Sequence, residues 1–76
     1  MTTPDNQAPH IVLEKTLSHA QYALTIEEQQ PEQGGAPVYV SRVTRDGVLI
    51  YASYPWKEQQ KAEQEALEYY AHLRKN

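Results

Sequence analysis

Two pairs of neighbouring carboxylates are the side chains of this 76-residue chain with the most obvious capacity for chemistry. Glu27 and Glu28 are adjacent, whereas Glu65 and Glu68 are three residues apart, a spacing that places both on one side of a helix. Paired acids catalyse proton transfer or bind a metal only when they meet in a sheltered cleft. Both pairs stand among Gln and Lys residues, so we interpret them as parts of solvated surfaces.

Other catalytic or metal-binding patterns are missing from the sequence. His10, His19 and His72 are far apart in the chain, and no pair has the i, i+4 spacing of helical zinc ligands. The chain has no Cys, which excludes disulfides, thiol catalysis and zinc–thiolate sites. The sequence Gly34-Gly35 is followed by Ala and Pro and not by the Lys of a phosphate loop. We therefore expect no enzyme activity, no metal and no cofactor.

Charge and hydropathy restrict the partners further. The net charge is −3, and much of the acidity lies in one stretch with Glu27, Glu28 and Glu32. Broad binding to nucleic acid requires a basic surface, which argues against a nucleic-acid partner. No apolar run approaches the roughly 20 residues of a membrane span, and the polar N-terminus lacks the pattern of a signal peptide. We expect a cytoplasmic protein without membrane contact.

The C-terminal part of the chain has the composition of a helix. No Gly and no β-branched residue occurs between positions 56 and 74. The pattern predicts a helix over 55–74, with Ser53 as the N-cap and Pro55 in the first turn. Its apolar stripe is predicted from spacings of 4, 3 and 4 residues and comprises Ala62, Ala66, Tyr69 and Leu73, with Tyr70 beside it. The opposite, solvent-facing side is predicted to carry Lys61, Glu65, Glu68 and His72.

A hairpin precedes this helix. Asp46-Gly47 is a strong signal for a two-residue turn because both positions of a type I′ turn require positive φ. The resulting register puts one set of pairs on the core side: Arg45–Val48, Val43–Ile50, Ser41–Ala52 and Tyr39–Tyr54. The other side of the sheet then carries Arg42 directly across from Tyr51, near Val40 and Leu49. Tyr39, Tyr54 and Tyr69 are predicted to lie between sheet and helix.

Residues 10–29 have two possible interpretations. A hairpin turning at Ser18-His19 or over a longer loop places a coherent apolar set on one face, including the pairs Ile11–Ile26 and Leu13–Leu24. Alternatively, residues 10–19 form a helix, because Leu13 and Leu17 recur at helical spacing. Residues 21–28 form a strand in both interpretations.

The fold class follows from these elements. We predict an α+β protein in which an antiparallel sheet of three to four strands, made of two successive hairpins, carries one long C-terminal helix on one face. Residues 1–9 are expected to be a disordered N-terminal arm and residues 10–76 a single small domain. A chain of this size is compatible with a monomer or a homodimer.

The order of elements resembles the double-stranded-RNA-binding domain over residues 22–73, in "YALTIEEQ", "PVYVSRVTRDGVLIYAS" and "KAEQEALEYYAHL". In that family a Lys-rich start of the last helix contacts phosphates, and the fold recognises RNA by its shape. Only Lys57 and Lys61 could serve here, and acids and Gln residues surround them. The resemblance implies nucleic-acid binding as an alternative function. From the residues themselves, we expect that function to use Arg42, Arg45 and these lysines, with Tyr51 as a stacking platform.

The aromatic residues favour a different function. Six are Tyr, one is Trp and none is Phe, a choice that suits half-buried positions and interaction hot spots. Trp56 is expected at the edge of the core, as a structural peg or as an anchor for a partner. We predict a small inhibitor, adaptor or modulator that docks on a larger protein, of the kind that phages and mobile elements use. The candidate partner-binding residues are Arg42, Arg45, Tyr51 and Trp56, together with the acidic Glu27, Glu28 and Glu32.

Overall fold

A computed structural model describes residues 10–31 and 34–75; the predicted arm over 1–9 and Glu32 lie outside the described residues. The elements are β1 (His10–Thr16), β2 (Tyr22–Gln29), β3 (Val38–Arg45), β4 (Val48–Ala52) and α1 (Gln59–Lys75). The four strands form one antiparallel sheet in chain order, and α1 packs on one of its faces. The predicted α+β class with two successive hairpins is confirmed.

The first hairpin exists, but its register differs from the prediction. Leu13 lies opposite Ile26 and not opposite Leu24. The difference arises because the backbone N–H of Leu17 donates to the carbonyl of Tyr22 at 3.0 Å, so the loop takes the four residues 18–21. From Leu13 onwards, this shift of two residues leaves the side chains on their predicted face, since the side-chain period of a strand is two.

A bulge in β1 separates its first residues from this pattern. Ile11 lies opposite Glu27 and Leu13 opposite Ile26, so Val12 is an extra residue on β1. The predicted Ile11–Ile26 pair is therefore wrong: Ile11 lies on the face away from the helix and is 43% exposed. Residues 10–16 are a strand, and the residues described before β2 include no helix to complete the RNA-binding-domain order.

The turn of the second hairpin agrees with the prediction. Arg45 lies opposite Val48, and the two residues between them, Asp46 and Gly47, have φ of 52° and 83°. These are the positive values that a type I′ turn requires. Gly tolerates them without cost, and Asp is among the residues that tolerate them best.

A bulge two residues beyond this turn overturns the rest of the predicted register. Val43 lies opposite Tyr51 and Arg42 opposite Ala52, so Ile50 is an extra residue on β4. Beyond it every residue of β4 changes face relative to the prediction. The predicted Val43–Ile50 and Ser41–Ala52 pairs are wrong. Tyr51 consequently lies on the helix side of the sheet and not beside Arg42.

The helix begins four residues later than predicted, at Gln59. The chain before it stays extended because Trp56 forms an isolated bridge with Tyr39, with N–H···O distances of 2.9 and 2.6 Å in the two directions. Neither Ser53 nor Pro55 belongs to the first turn, and the predicted Tyr39–Tyr54 pair does not form. No helix of the described residues has the length and apolarity that crossing a membrane requires.

The core lies between α1 and the sheet, mainly against β3. The predicted helical stripe is confirmed, with Ala62 and Ala66 completely buried and Tyr69 and Leu73 partly so. The sheet side of the core is made by Leu17, Leu24, Ile26 and Val43. Tyr70 is more deeply buried than its place beside the stripe suggested, at 6% exposure.

Ser41 is a polar residue at the centre of this packing. It is completely buried, its Oγ donates to the carbonyl of Ala62 at 2.7 Å, and its backbone N–H donates to Oγ of Ser53 at 2.9 Å. A small side chain here lets the first turn of α1 lie directly on β3. The Ser41 hydroxyl is buried, but its hydrogen bond to the Ala62 carbonyl satisfies it.

We expect Ser41→Val to destabilise the fold more than Ser41→Ala. Removing the hydroxyl costs about 1 kcal/mol, and the added methyl groups press on Ala62 and cost roughly 1–3 kcal/mol more by overpacking. Urea denaturation of both variants measures this difference. Equal stabilities for the two would show that the helix does not lie close enough to feel the larger side chain.

Candidate functional site

The carboxylate of Glu65 connects the helix to the segment that follows β4. It accepts hydrogen bonds from the Tyr51 hydroxyl, from Nε1 of Trp56 at 2.7 Å and from the backbone N–H of Tyr54 at 3.3 Å. The prediction that Glu65 faces solvent with Glu68 is therefore wrong. The side chain flanks the apolar stripe and reaches the edge of the sheet, where the three donors converge.

Electrostatics fixes the protonation states at this point. Desolvation raises the pKa of the Glu65 carboxyl, but the hydrogen bonds from Tyr51, Trp56 and the Tyr54 amide outweigh it, so the pKa is lowered. The hydrogen bond to Glu65, together with burial, raises the pKa of Tyr51 to about 12. At neutral pH the carboxylate is ionised and the phenol protonated. Neither group titrates near neutral pH, so the pair does not act as an acid–base couple. Glu65 and its three donors, the Tyr51 hydroxyl, Trp56 Nε1 and the Tyr54 amide, are a structural contact that we call the clasp.

Aromatic rings surround this clasp on two sides. Tyr51 stacks on Tyr69 with ring centroids 4.1 Å apart and an interplanar angle of 11°. Tyr54 meets Trp56 edge-on at 5.2 Å, and the ammonium of Lys61 lies 5.8 Å from the centroid of the Trp56 ring. Tyr54 was predicted in the core but is 65% exposed. The exposed Tyr54 ring thus contacts the half-buried Trp56 ring, whose Nε1 is hydrogen-bonded to Glu65.

The face of the sheet opposite the helix carries an internal ion pair. Arg42 Nη1 binds Oε1 of Glu27, whose side chain is 18% exposed. The same oxygen accepts a hydrogen bond from Nε2 of Gln29 at 3.3 Å. Val40, opposite Glu27, is 7% exposed although it lies on this open face. Two predicted binding residues therefore meet here, and they largely neutralise each other.

The acidic stretch does not form one patch, because neighbouring residues of a strand point to opposite faces. Glu28 lies on the face opposite to Glu27, where Oε2 accepts from the Tyr39 hydroxyl at 3.2 Å and Oε1 lies 3.2 Å from Nδ1 of His10. Burial, reinforced by the nearby Glu28, raises the pKa of Tyr39. Arg45 is remote from both acids, with its guanidinium 5.8 Å from the centroid of the Tyr22 ring.

The two edges of the sheet differ in a way that the sequence interpretation missed. Both edge strands contain a bulge, but β1 also carries His10, Glu14 and Lys15, and charged side chains are a common means of blocking an edge. β4, "VLIYA", has no charged residue, and Val48 and Leu49 are 64% and 53% exposed. The sequence signal for an unblocked edge was the run without charged residues directly after the Asp-Gly turn. This run indicates a free edge only when β4 is known to be the last strand of the sheet.

Comparison of the chain with protein-family models, with curated proteins and with solved structures gives no match in any of the three. The geometry of the described residues therefore carries the functional proposal.

We expect Tyr51→Phe to lower the free energy of unfolding by about 1–2 kcal/mol at neutral pH, because a partly exposed hydrogen bond to a carboxylate is lost. The raised pKa of Tyr51 gives a contribution that is complete below pH 10 and is lost as the pH rises towards 12. The lowered pKa of Glu65 gives one that is lost as the pH falls below the carboxyl's ordinary value. The difference between wild type and variant should shrink at both extremes.

Urea denaturation at a series of pH values measures this difference. Tyr54→Phe is the matched control, since it removes a phenol hydroxyl from an exposed side chain outside the clasp. A difference for Tyr51→Phe that stays constant from pH 8 to beyond the Tyr51 pKa of about 12 would contradict the assignment.

Proposed function

We propose that this protein is a small non-enzymatic interaction domain that docks on a larger protein by pairing an extended segment of that partner with the free edge of β4. The observation that carries the proposal is the contrast between the charged edge at β1 and the uncharged, exposed edge at β4. Each of the two edge strands contains one bulge, so the difference lies in the charges and the exposed apolar side chains. An edge strand without charges is a template for pairing with another chain. Such pairing is a recurring mode of peptide recognition.

The backbone of β4 supplies the hydrogen-bonding groups for this mode. Arg45 and Val48 close the two-residue turn, and Leu49 lies opposite Thr44, one position further on. Antiparallel strands alternate between hydrogen-bonded and non-hydrogen-bonded pairs, and the pair closing a two-residue turn is of the first kind. The N–H and carbonyl of Leu49 therefore point away from β3, towards an added strand.

Tyr54 and Trp56 supply an anchor just beyond this edge. Tyr54 is exposed, while the Trp56 ring beneath it is held by the Glu65 carboxylate. A preorganised aromatic pair loses little conformational entropy on binding, and both residue types are enriched at hot spots. Trp56 and the clasp residue Tyr51 thus stay binding candidates, as support for Tyr54 and not as parts of the open sheet face.

The proposed partner is a protein with an accessible extended segment whose side chains are apolar opposite Leu49. An inhibitor, adaptor or modulator acting in the cytoplasm fits this mode of docking. The nucleic-acid alternative receives less support from the geometry. It requires Arg42 and Tyr51 on one accessible surface, whereas Glu27 pairs with the first and Tyr69 stacks on the second.

We expect Leu49→Pro to abolish peptide docking without unfolding the protein. Proline removes the outward N–H of an edge position, where no ladder bond to β3 depends on it. A displayed library of linear peptides, selected on the wild type, should yield binders that lose affinity for this variant by at least tenfold. Their binding should shift the amide resonances of β4 in NMR spectra.

Ile11→Lys is the matched control, because it alters an apolar side chain of similar exposure on the other edge strand. It should leave peptide binding unchanged. Peptides that bind Leu49→Pro as tightly as the wild type would overturn the β4 assignment. Binding of single-stranded oligonucleotides that is lost in Arg42→Glu would favour the alternative function.

A further inference from the structure

Two arginines and two tyrosines form a cluster at the end of the molecule where α1 finishes. Arg45 lies over the Tyr22 ring and Arg74 over the Tyr70 ring, each with its guanidinium carbon 5.8 Å from the centroid. The two rings meet edge-on with centroids 5.2 Å apart. Cation and ring attract each other in this arrangement, and the guanidinium keeps its hydrogen-bond donors.

The cluster is held in place by the loop between β1 and β2. The Tyr70 hydroxyl accepts the backbone N–H of His19 at 3.1 Å and lies 3.0 Å from Oγ of Ser18. The ring of Tyr70 is almost completely buried. The base of the cluster is therefore rigid, while Arg45 and Arg74 are exposed above it.

Next to these rings is a surface cavity of about 340 Å³ lined by His19, Gln21, Tyr22, Leu73 and Arg74. The lining contains no carboxylate. The cavities along the outer side of α1 and beside Trp56 instead contain Glu63, Glu65 or Glu68. Of these three cavities, this one has a cationic lining without an acid, in a protein of net charge −3.

The two guanidiniums have their charge available. Among the side chains that the structure describes, neither Arg45 nor Arg74 forms an ion pair with a carboxylate; the pairs found are His10–Glu28, Lys15–Glu63 and Arg42–Glu27. Neither Arg45 nor Asp46, which follows it in the hairpin turn, lines the cavity, but Arg45 lies over the ring of Tyr22, which does. The free carbonyls at the C-terminal end of α1 stabilise a nearby cation, and Arg74 in the last turn of the helix is that cation.

We infer that this cavity binds a nucleotide phosphate, with the phosphate on the Arg74 guanidinium that lines it and the base against the planar and apolar lining. Arg45, which lies over the ring of the lining residue Tyr22, adds a second cation beside the cavity. Planar guanidinium forks bind phosphate oxygens in bidentate fashion. Bases stack on aromatic rings and on guanidinium planes, and Tyr22, His19 and Leu73 provide such a wall. The volume lies at the low end of small-molecule sites and suits one nucleotide. This site is distinct from the β4 edge, so either proposal can fail alone.

The test is an NMR titration of the full chain with three probes: inorganic phosphate, adenosine monophosphate and a 5′-phosphorylated single-stranded tetranucleotide. We expect the amides of residues 19–22 and 73–74 to shift with the two nucleotide probes. Adenosine monophosphate should bind at least about tenfold more tightly than inorganic phosphate. Tighter binding of the tetranucleotide would identify a strand end as the source of the phosphate, and equal binding a free nucleotide.

Arg45→Gln and Arg74→Gln should each weaken binding by about tenfold, the usual effect of losing one charge-assisted contact. Lys15→Gln removes one positive charge from an exposed position on β1, beside Glu63, and should leave nucleotide binding unchanged. Arg74→Lys keeps the charge at the helix end, so it separates loss of the planar fork from loss of stability. No shifts at millimolar nucleotide, equal affinity for phosphate and nucleotide, or equal weakening by Lys15→Gln would each overturn the site.

Discussion

The ionised carboxylate of Glu65 is the interaction on which the shape of this molecule depends most. A partly buried carboxylate is costly unless donors surround it, and here three donors come from three consecutive parts of the chain: the strand β4, the residue after Ser53, and Trp56. These contacts hold the link between β4 and α1 in an extended form. Trp56 can then pair with Tyr39 and lengthen the region that the helix covers. The position at which α1 begins follows from this arrangement.

The donor from Tyr51 exists only because β4 contains a bulge. Without the extra residue Ile50, the alternation of the strand would direct Tyr51 to the open face and leave Glu65 with fewer donors. The bulge in β1 has the opposite consequence, since it turns Ile11 out of the core. Each bulge changes the face of the residues beyond it at the price of one unpaired residue. Two single-residue insertions thus decide which side chains the helix can reach.

Periodicity and turn chemistry were sufficient to predict the class of fold, the order of its elements and the helical stripe. Asp46-Gly47 defined the second hairpin because few other pairs adopt two positive φ values. The bulge in β4 could not be predicted, since "VLIYA" is apolar throughout and its pattern fits either register. Pro55 suits an extended segment as well as a first helical turn, so the helix start was ambiguous. Within the candidate site, the pairing of Arg42 with Glu27 was not predicted, because it depends on the register between β2 and β3, for which the sequence offered no turn signal. The contacts of Glu65 were missed because they depend on the bulge in β4.

The groups best suited to bind a partner are those whose charges or hydrogen-bonding atoms have no partner among the described residues. The open face of the sheet satisfies its own charges, because Arg42 and Glu27 bind each other and Gln29 adds a further donor. Glu28 is likewise occupied by Tyr39 and His10. By contrast, β4 ends the sheet with unpaired backbone groups and no charge to repel a partner strand. Arg45 and Arg74 keep guanidinium donors above rings that already stabilise them. In a small domain, groups of this kind can lack a partner within the protein only at the surface, where water forms hydrogen bonds with them.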